Sequence, residues 1–466
     1  MKRIIMITGI ILLMIALVLL IFTSRVKDGP YHESHWFRLA IDRIDSIRTS
    51  LNVASGTAEA GFAKISLTPG INAPADNPEA GTFVQVPLAG YGGRKGEPST
   101  GVHDSIFARA AALKVENNLV VFVTAGLLIM PPDVTDSVTA RLAAYGLNRN
   151  QLFFSASHTH SGPGGWGQGW LAGQFSGKYN PNIEKWLVRQ ITEAVKTALA
   201  DLQPAQIGSG SFKAGALTRN RLVGELGTKN DDFDFIVIRQ TAGKTAVIGS
   251  FAAHSTTLGA GNMQFSSDYP GFWERKTEQN TGAMAMFFAG SMGSQSPSGE
   301  GKDFDRARFI GEALADSLAL YLPEVILRDS VTLVPASLKV PLPEYHIRIT
   351  PKTGLSTFLS SKLMPEPRNV YLQTARINNL VWTTTPADFS GEFALQIKNA
   401  LEARGYQGMV TGFNGNYIGY VIPGKYFYLN EYEPKTMGWL GPYMGEYSMD
   451  LIRLLYTIVT NEGKKI

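Results

Sequence analysis

The chain has 466 residues, of which 44% are apolar and 18% are charged, so it can bury a large core and is not a disordered protein. Its 43 basic and 39 acidic residues leave a net charge of +4, which gives no sign of a nucleic-acid-binding surface. Because the chain has no cysteine and only seven histidines, any metal site must use imidazole, carboxylate or phenol ligands.

The first predicted element is an apolar helix at the N-terminus. The run Ile4–Phe22 carries no charge, and a helix of this length spans about 30 Å, the thickness of a bilayer core. No small-residue cleavage site follows it. We predict a signal anchor over residues 1–27 with a single transmembrane helix at about 4–22. It places the remainder on the extracytoplasmic, periplasmic side of the inner membrane. A cleaved signal peptide, the alternative, would release a secreted protein.

A second helix is predicted by apolar residues at helical spacing. They are Phe37, Ala40, Ile41, Ile44, Ile47 and Leu51. Arginines lie between them, so the helix could lie on the membrane surface or pack on the catalytic domain as a stalk. Because Asn52–Glu59 is small and polar, we assign residues 28–57 to a juxtamembrane helix and linker.

Strand and helix patterns alternate through the rest of the chain. Predicted strands are Leu119–Thr124, Leu152–Ala156, Phe233–Arg239, Ala246–Ala252, Ala283–Phe288, Leu380–Thr384 and Gly408–Thr411. Predicted helices are Val134–Tyr145, Ile183–Leu202, Phe304–Tyr321, Phe389–Ala403 and Met449–Val459. The proline-rich residues 331–370 are interpreted as loops and edge strands. This alternation predicts an α/β fold with mixed sheets flanked by helices, in one large catalytic domain over residues 58–466.

The densest group of chemically active residues follows the predicted strand Leu152–Ala156. His158 and His160 form an H-x-H pair there, and in an extended chain alternate side chains point to the same side. The Gly/Pro-rich turn after them leaves room for a metal and a substrate. The pair indicates a metal site, although two ordinary surface histidines would give the same pattern.

Other polar residues also lie just beyond predicted strands. They are His254, Ser296, Asp388, Tyr417 and Tyr420. Taken singly, each could be a core, loop or helix-cap residue, but sites in α/β sheets are built at the carboxyl ends of strands. Two histidines, one carboxylate and one phenol would supply four ligands suited to Zn²⁺. A serine and a second histidine would remain to serve the substrate.

Short segments match, in order, the motifs of one known family. They are Ala60–Pro69, Gly101–Asp104 with Ala108–Ala110, Ser157–Gly165, Asn220–Arg221, Phe251–Thr256, Ser266–Asp268 and Gly293–Pro297. On these segments the chain resembles the N-terminal catalytic domain of the neutral/alkaline non-lysosomal ceramidases. The resemblance covers roughly residues 60–460.

The resemblance implies a role for particular positions of this sequence. The zinc ligands fall on His158, His254, Asp388 and Tyr420, the active-site serine on Ser296, and substrate-facing polar residues on His160 and Arg221. Tyr417 or Tyr420 would join His160 in donating to the oxyanion. The family has Glu where Asp388 aligns, and an alternative alignment would use Glu392. The family also has Asp at the position of Ser294.

The implied activity is the zinc-dependent hydrolysis of an N-acyl amide. The implied substrate is ceramide or a ceramide-like lipid in the bilayer, cleaved to a sphingoid base and a fatty acid. Ser296 would act as a nucleophile or as a donor that orients water. Two other interpretations stay open: an amidase for a different acylated amine or lipid, and an inactive, membrane-tethered binding protein.

Overall fold

The computed structural model describes residues 2–241, 243–364 and 367–460. Met1 of the predicted anchor segment and the last six residues of the predicted domain 58–466 lie outside the described residues. Within them, mixed β-sheet is flanked by helices. The predicted α/β class is therefore confirmed.

Helix ends follow local capping chemistry. The helix Pro181–Ala200, for example, begins with proline in its first turn, and the Asn180 side chain accepts a hydrogen bond from the backbone N–H of Asn182; both features favour a helix start. The helices of the described residues are α1 (Lys2–Phe22), α2 (His35–Ser50), α3 (Pro132–Leu142), α4 (Gly169–Ser176), α5 (Pro181–Ala200), α6 (Asp268–Thr281), α7 (Asp303–Tyr321), α8 (Thr357–Leu363), α9 (Gly391–Glu402) and α10 (Met444–Val459).

The strands range in length from two residues to 13 residues. They are β1 (Thr23–Arg25), β2 (Ala54–Ser66), β3 (Gly101–Val102), β4 (Phe107–Val115), β5 (Asn118–Ala125), β6 (Leu152–Ala156), β7 (Gln203–Lys213), β8 (Thr218–Asn220), β9 (Asp232–Gln240), β10 (Thr245–Phe251), β11 (Gln264–Phe265), β12 (Met284–Ala289), β13 (Gln295–Pro297), β14 (Ser330–Lys339), β15 (Thr353–Leu355), β16 (Tyr371–Ile377), β17 (Leu380–Thr384), β18 (Asp388–Phe389), β19 (Gln407–Thr411) and β20 (Tyr420–Val421).

Strand β2 is the branch point of the main sheet. It pairs with β4, β7 and β14. From it run three branches, β4–β5–β6, β7–β9–β10–β12 and β14–β16–β17–β19. The outermost pair of each branch is parallel. Each branch therefore directs two strand ends to one edge, where α/β proteins build their sites.

The three branches meet around one internal core. Trp382 of β17 stacks on Phe122 of β5 with ring centroids 4.4 Å apart, and it contacts Phe288 of β12 edge-on at 4.9 Å. At the carboxyl edge, the Gly412 N–H donates to Ala289 O at 2.9 Å, and Ser155 Oγ donates to Gly412 O at 2.8 Å. These bonds tie the ends of β6, β12 and β19 together.

Helix α2 packs on the domain that contains the main sheet. Ala40 and Ile44 are buried in the same apolar cluster as residues of β14 and α10, and Arg43 donates to Lys339 O at 2.6 Å. Of the two interpretations of this segment, the contacts match the packed stalk.

The N-terminal run forms helix α1, followed by β1, which pairs with β15. Across the part of the chain that the structure describes, we find no helix of sufficient length and apolar character to cross a membrane. The predicted transmembrane helix therefore has no support from the structure.

Each strand and helix predicted after residue 58 occurs within a few residues of its expected bounds. The helix predicted from Phe389 begins later, at Gly391, because Asp388 and Phe389 form β18. The boundary predicted at Asn52–Glu59 is wrong: from Ala54 this segment is part of β2.

The interpretation of residues 331–370 as loops and edge strands is wrong for β14. This strand lies inside the sheet between β2 and β16. Its pairing with β2 ends at Leu333, whereas Pro335 pairs only with β16. Proline is tolerated there because its missing N–H faces a position with no ladder partner.

Candidate active site

Loops after the parallel strands bring the predicted site residues together. His158 follows β6, His254 follows β10, and Asp388 follows β17. In the short β18–β20 pair, Asp388 lies directly opposite Tyr420, which follows β19. Four distant parts of the chain therefore supply one cluster.

His158 enters this cluster with a left-handed backbone, at φ +59°. The expectation of an extended H-x-H pair is wrong here, because the chain turns immediately after β6. A non-glycine residue is strained in this region, and two contacts hold it: Nδ1 donates to Leu128 O at 2.6 Å, and the ring stacks on Phe413 with centroids 4.0 Å apart. The His158 and His160 rings still converge, with centroids 5.0 Å apart.

The two histidines after β6 and β10 present lone pairs to each other. His254 Nδ1 donates to Met292 O at 3.2 Å, as His158 Nδ1 does to Leu128 O. Since a carbonyl only accepts, the proton of each neutral ring is on Nδ1. The two Nε2 atoms, 2.9 Å apart, are therefore both acceptors. Such an approach is unfavourable without a cation between them.

Two oxygen atoms complete the group. Asp388 Oδ1 lies 3.6 Å from His158 Nε2, and Tyr420 OH lies 3.4 Å from His254 Nε2. Ligands at about 2.0–2.1 Å from a tetrahedral zinc lie about 3.3 Å from one another, so these spacings suit one small ion. Asp388 Oδ1 is buried and has no hydrogen-bond partner, which a cation would supply.

His160 offers a further imidazole to the same centre. Its Nε2 lies 3.4 Å from His158 Nε2, and ring nitrogens of His158, His160 and His254 lie within 4.8 Å of one another. The three-histidine set is thus a second geometrically possible ligand set, besides the one that includes Asp388 and Tyr420. The resemblance instead implies that His160 faces the substrate.

Burial controls the protonation of this centre. It lowers the pKa of His158 to about 3 and the pKa values of His160 and His254 well below the usual value. Burial also raises the pKa of Asp388 to about 7, against the hydrogen bond from Tyr417 and the charge of Arg221. At neutral pH the imidazoles are neutral and ready to ligate, whereas the carboxyl group titrates.

Arg221 is held at the edge of the cluster by two partners. Its Nε donates to Glu433 Oε1 at 2.7 Å, and Nη2 donates to Tyr420 OH at 2.8 Å. Glu433 lies in a π-helical turn over Tyr432–Thr436, a feature common at functional sites. Neither Glu433 nor Tyr432, which lines the cavity described below, was predicted. The available signal was their position in the long segment after β20.

Ser296 lies beside the cluster on β13, where it pairs with Arg219 of β8. It is half-buried, and the adjacent Gln295 O accepts from the His254 N–H at 3.3 Å. Ser296 is not among the residues found to line the cavity. Ser294 Oγ accepts a hydrogen bond from the Gly391 N–H at the start of α9.

Glu392, the alternative to Asp388, points elsewhere. Its carboxylate accepts from Lys425 Nζ at 2.5 Å and from the Tyr426 hydroxyl at 3.2 Å. The structure therefore places Asp388, and not Glu392, beside the histidines.

The cluster forms part of the wall of a cavity of about 220 Å³. Tyr417 and His160 line it together with the proposed ligands. The rest of the wall is largely apolar, and its larger side chains are Leu128, Ile129, Trp166, Leu171, Phe175, Met437 and Trp439. A polar centre in an apolar cavity suits a ligand with one polar group and a hydrocarbon part.

The chain is similar to known proteins in sequence. The family described as "Neutral/alkaline non-lysosomal ceramidase, N-terminal" matches residues 77–306. A neutral ceramidase of Pseudomonas aeruginosa is 27% identical over 50% of this chain and 38% of its own length. One from Mycobacterium tuberculosis is 24% identical over 48% of this chain and 41% of its own length. The matches span about two fifths of these relatives.

Solved structures show the same fold. The crystal structure of neutral ceramidase from Pseudomonas aeruginosa has a TM-score of 0.72 at 21% identity, covering 87% of this chain and 75% of that chain. A ceramidase complexed with C2 gives a TM-score of 0.70 at the same identity and coverage. The sequence match and the fold agree, and together they support the neutral/alkaline non-lysosomal ceramidase family.

Proposed function

We propose that this protein is a zinc-dependent hydrolase of lipid N-acyl amides, with ceramide or a ceramide-like lipid as its substrate. The observation that carries the proposal is the pair of imidazole lone pairs, 2.9 Å apart, in the wall of an apolar cavity. The first feature favours a bound cation, and the second suits an acyl chain. The similarity to this family supplies the amide as the bond to be cleaved.

The zinc ligands in this proposal are His158, His254, Asp388 and Tyr420. Their donor atoms have spacings suited to one ion, and the unpartnered Asp388 Oδ1 favours the carboxylate over the third histidine. Zinc, when bound, supplies a Lewis acid for the amide carbonyl.

The chain's own residues would stabilise the developing oxyanion. The Tyr417 hydroxyl already donates to Asp388 Oδ2 at 2.7 Å, so its proton is occupied. Tyr420 OH accepts from Arg221 and faces His254 Nε2, and as a proposed zinc ligand it is not counted as a donor. His160 can donate from its ring. Removing one such donor typically costs about 100- to 1000-fold in rate.

Ser296 would attack the carbonyl or orient a water molecule. Its place on β13, next to the residue that binds the His254 backbone, brings it to the border of the cluster. If Ser296 attacks, its oxygen bonds to the carbonyl carbon, its proton passes through a base to the leaving nitrogen, and the C–N bond breaks to release the amine. Water then hydrolyses the acyl–serine ester to release the fatty acid and restore the serine.

The membrane and the location of the domain also belong to this proposal. We place the catalytic domain on the extracytoplasmic side, with its substrate drawn from a bilayer. The basis is the uncharged run Ile4–Phe22. Membrane fractionation with protease accessibility tests this location. Because α2 packs on the domain, a soluble fragment for metal analysis should keep this helix and start at about residue 28.

The decisive experiment combines metal analysis with a product-release assay. The panel contains ceramides, N-acylethanolamines and N-acyl amino acids. We expect one zinc per chain and fastest release from ceramide. Preference for another amide would make the protein an amidase of that class. A metal-free, inactive protein would favour the binding-protein alternative.

A further inference from the structure

A buried arginine lies directly behind His160. Arg94 is 5% exposed, and its guanidinium group donates to the carbonyl oxygens of His160 and Ala89 with Nη1, of Ala260 with Nε and of Gly259 with Nη2. The ion pairs found within the described residues do not include it. Burial of this charge lowers the pKa of Arg94 to about 10, so the group remains charged at neutral pH.

The acceptors of Arg94 come from three separate segments around one imidazole. Ala89 precedes the site, Gly259 and Ala260 follow His254, and the third acceptor is the backbone of His160 itself. Arginine presents its donors in a rigid planar fork, whereas lysine offers one compact ammonium group. A fork that joins three segments fixes their relative positions, and His160 lies among them.

The neighbours of Arg94 complete this enclosure. The Tyr91 ring lies 4.9 Å from the guanidinium carbon and 4.7 Å from the His160 ring, and its hydroxyl donates to Leu258 O at 2.9 Å. Gly90 has φ +121°, and a Cβ there would lie 2.7 Å from His160 Cβ. The absence of a side chain at Gly90 therefore makes room for the imidazole.

The ring of His160 has little else to orient it. Its Nδ1 is buried and lacks a hydrogen-bond partner, unlike Nδ1 of His158 and His254, which donate to carbonyls. The backbone contact from Arg94 and the packing of Tyr91 take the place of such a bond. We propose that Arg94 is a positioning residue for His160, holding this imidazole at the amide-binding side of the cavity.

This inference rests on the proposed hydrolase function, in which His160 donates to the transition state. A donor displaced by about 1 Å costs on the order of 100-fold in rate. We expect Arg94→Lys to lower kcat by about 100-fold with little change in KM, because the lost interaction belongs to the transition state. Zinc content should be unchanged, and guanidinium ion added to Arg94→Ala should restore part of kcat.

Arg348→Ala is the matched control. Arg348 is also buried, donates to the carbonyls of Phe427 and Pro351, and lies 3.8 Å from an aromatic ring centroid, but it is not a cavity residue. We expect this variant to lose thermal stability without losing kcat per folded enzyme. Wild-type kcat in Arg94→Lys, or a loss that follows melting temperature as in Arg348→Ala, would overturn the proposal.

A second readout does not depend on activity. In the metal-free protein, the imidazole resonances of His160, assigned by their loss in His160→Ala, should shift in Arg94→Lys while those of His346 stay fixed. Unchanged His160 resonances would refute the positioning role even if the wild type cleaves no amide. Absence of any amide cleavage by the wild type would instead count against the proposed function.

Discussion

The Tyr417 hydroxyl donates a 2.7 Å hydrogen bond to Asp388 Oδ2 and leaves Oδ1 of the same carboxylate facing the histidines without a partner. One oxygen is thereby fixed and the other is available to a metal. Such outer contacts orient a ligand and tune its affinity. The tyrosine thus supports the carboxylate whose side chain is one methylene shorter than the family's glutamate.

Tyr417→Phe tests this support. We expect zinc affinity to fall by about 10- to 100-fold, as is typical when an outer-shell partner of a ligand is removed. Competition with a chromogenic chelator measures it. Tyr447→Phe is the control, because Tyr447 is a buried tyrosine whose hydroxyl donates to Pro341 O. Equal zinc affinity in both variants would count against an Asp388 ligand.

His158→Ala and His254→Ala should each lose zinc and turnover. Each substitution removes one of the two facing Nε2 atoms, leaving too few ligands for a tight site. The zinc content of each variant after gel filtration measures this loss. His346→Ala serves as the control, since this histidine is also buried but lies outside the cluster. Full zinc occupancy in either site variant would refute the assignment.

Replacement of Asp388 separates the two candidate carboxylates. Asp388→Glu should retain more zinc than Asp388→Ala, because it restores a carboxylate of the length found in the family. Glu392→Ala should keep its zinc, since Glu392 binds Lys425 and Tyr426. Loss of zinc in Glu392→Ala together with retention in Asp388→Ala would reverse the assignment.

Ser296→Ala should reduce turnover at least about 100-fold while zinc content and melting temperature stay near the wild-type values. Ser294→Ala is its control. It removes an acceptor for the first N–H of α9, which should cost about 1 kcal/mol of stability but little activity. Near-normal turnover by Ser296→Ala would favour water attack without serine.

Zinc binding should release more protons in mild acid than in mild base. The raised pKa of Asp388, about 7, means that at pH 6 the metal-free carboxyl is mostly protonated and must lose its proton to bind zinc. The histidines, with lowered pKa values, are already neutral and contribute nothing. Apparent affinity should therefore rise more steeply with pH below about 7 than above it.

Calorimetry in buffers of different ionisation enthalpy counts these protons. Asp388→Ala is the reference, because it lacks the titrating group but keeps both histidines. The wild type should release about one more proton at pH 6 than at pH 8, and the variant should show no such difference. The same release at both pH values in the wild type would contradict this account.

Much of the fold was predictable because many of its strands are short, largely apolar segments of the sequence. Strands such as Leu152–Ala156 and Leu380–Thr384 are buried along their whole length and are short and largely apolar, as expected for parallel pairs. The apolar pattern did not predict strand β2, because its sequence is rich in small and polar residues. Its stability comes from pairing with three neighbours, which the local sequence does not encode.

The site was predictable to the extent that its residues follow recognisable strands. His254 and Asp388 could be placed at one sheet edge by that rule alone. Arg94 and Glu433 could not, because their roles depend on loops from distant parts of the chain meeting at the cavity. The left-handed turn at His158 could not be predicted for the same reason. The residues that hold it, Leu128 and Phe413, are remote in sequence.

The wide chain separation of the cluster has a kinetic consequence. Its members occupy positions from 158 to 420, on three branches of the sheet that start from β2. Long-range pairings of this kind form slowly, because loop closure must precede them. The centre can assemble only after all three branches have docked. Recovery of tight zinc binding during refolding would then mark the last step of the whole domain's folding, and isolated fragments such as 77–306 would remain without it.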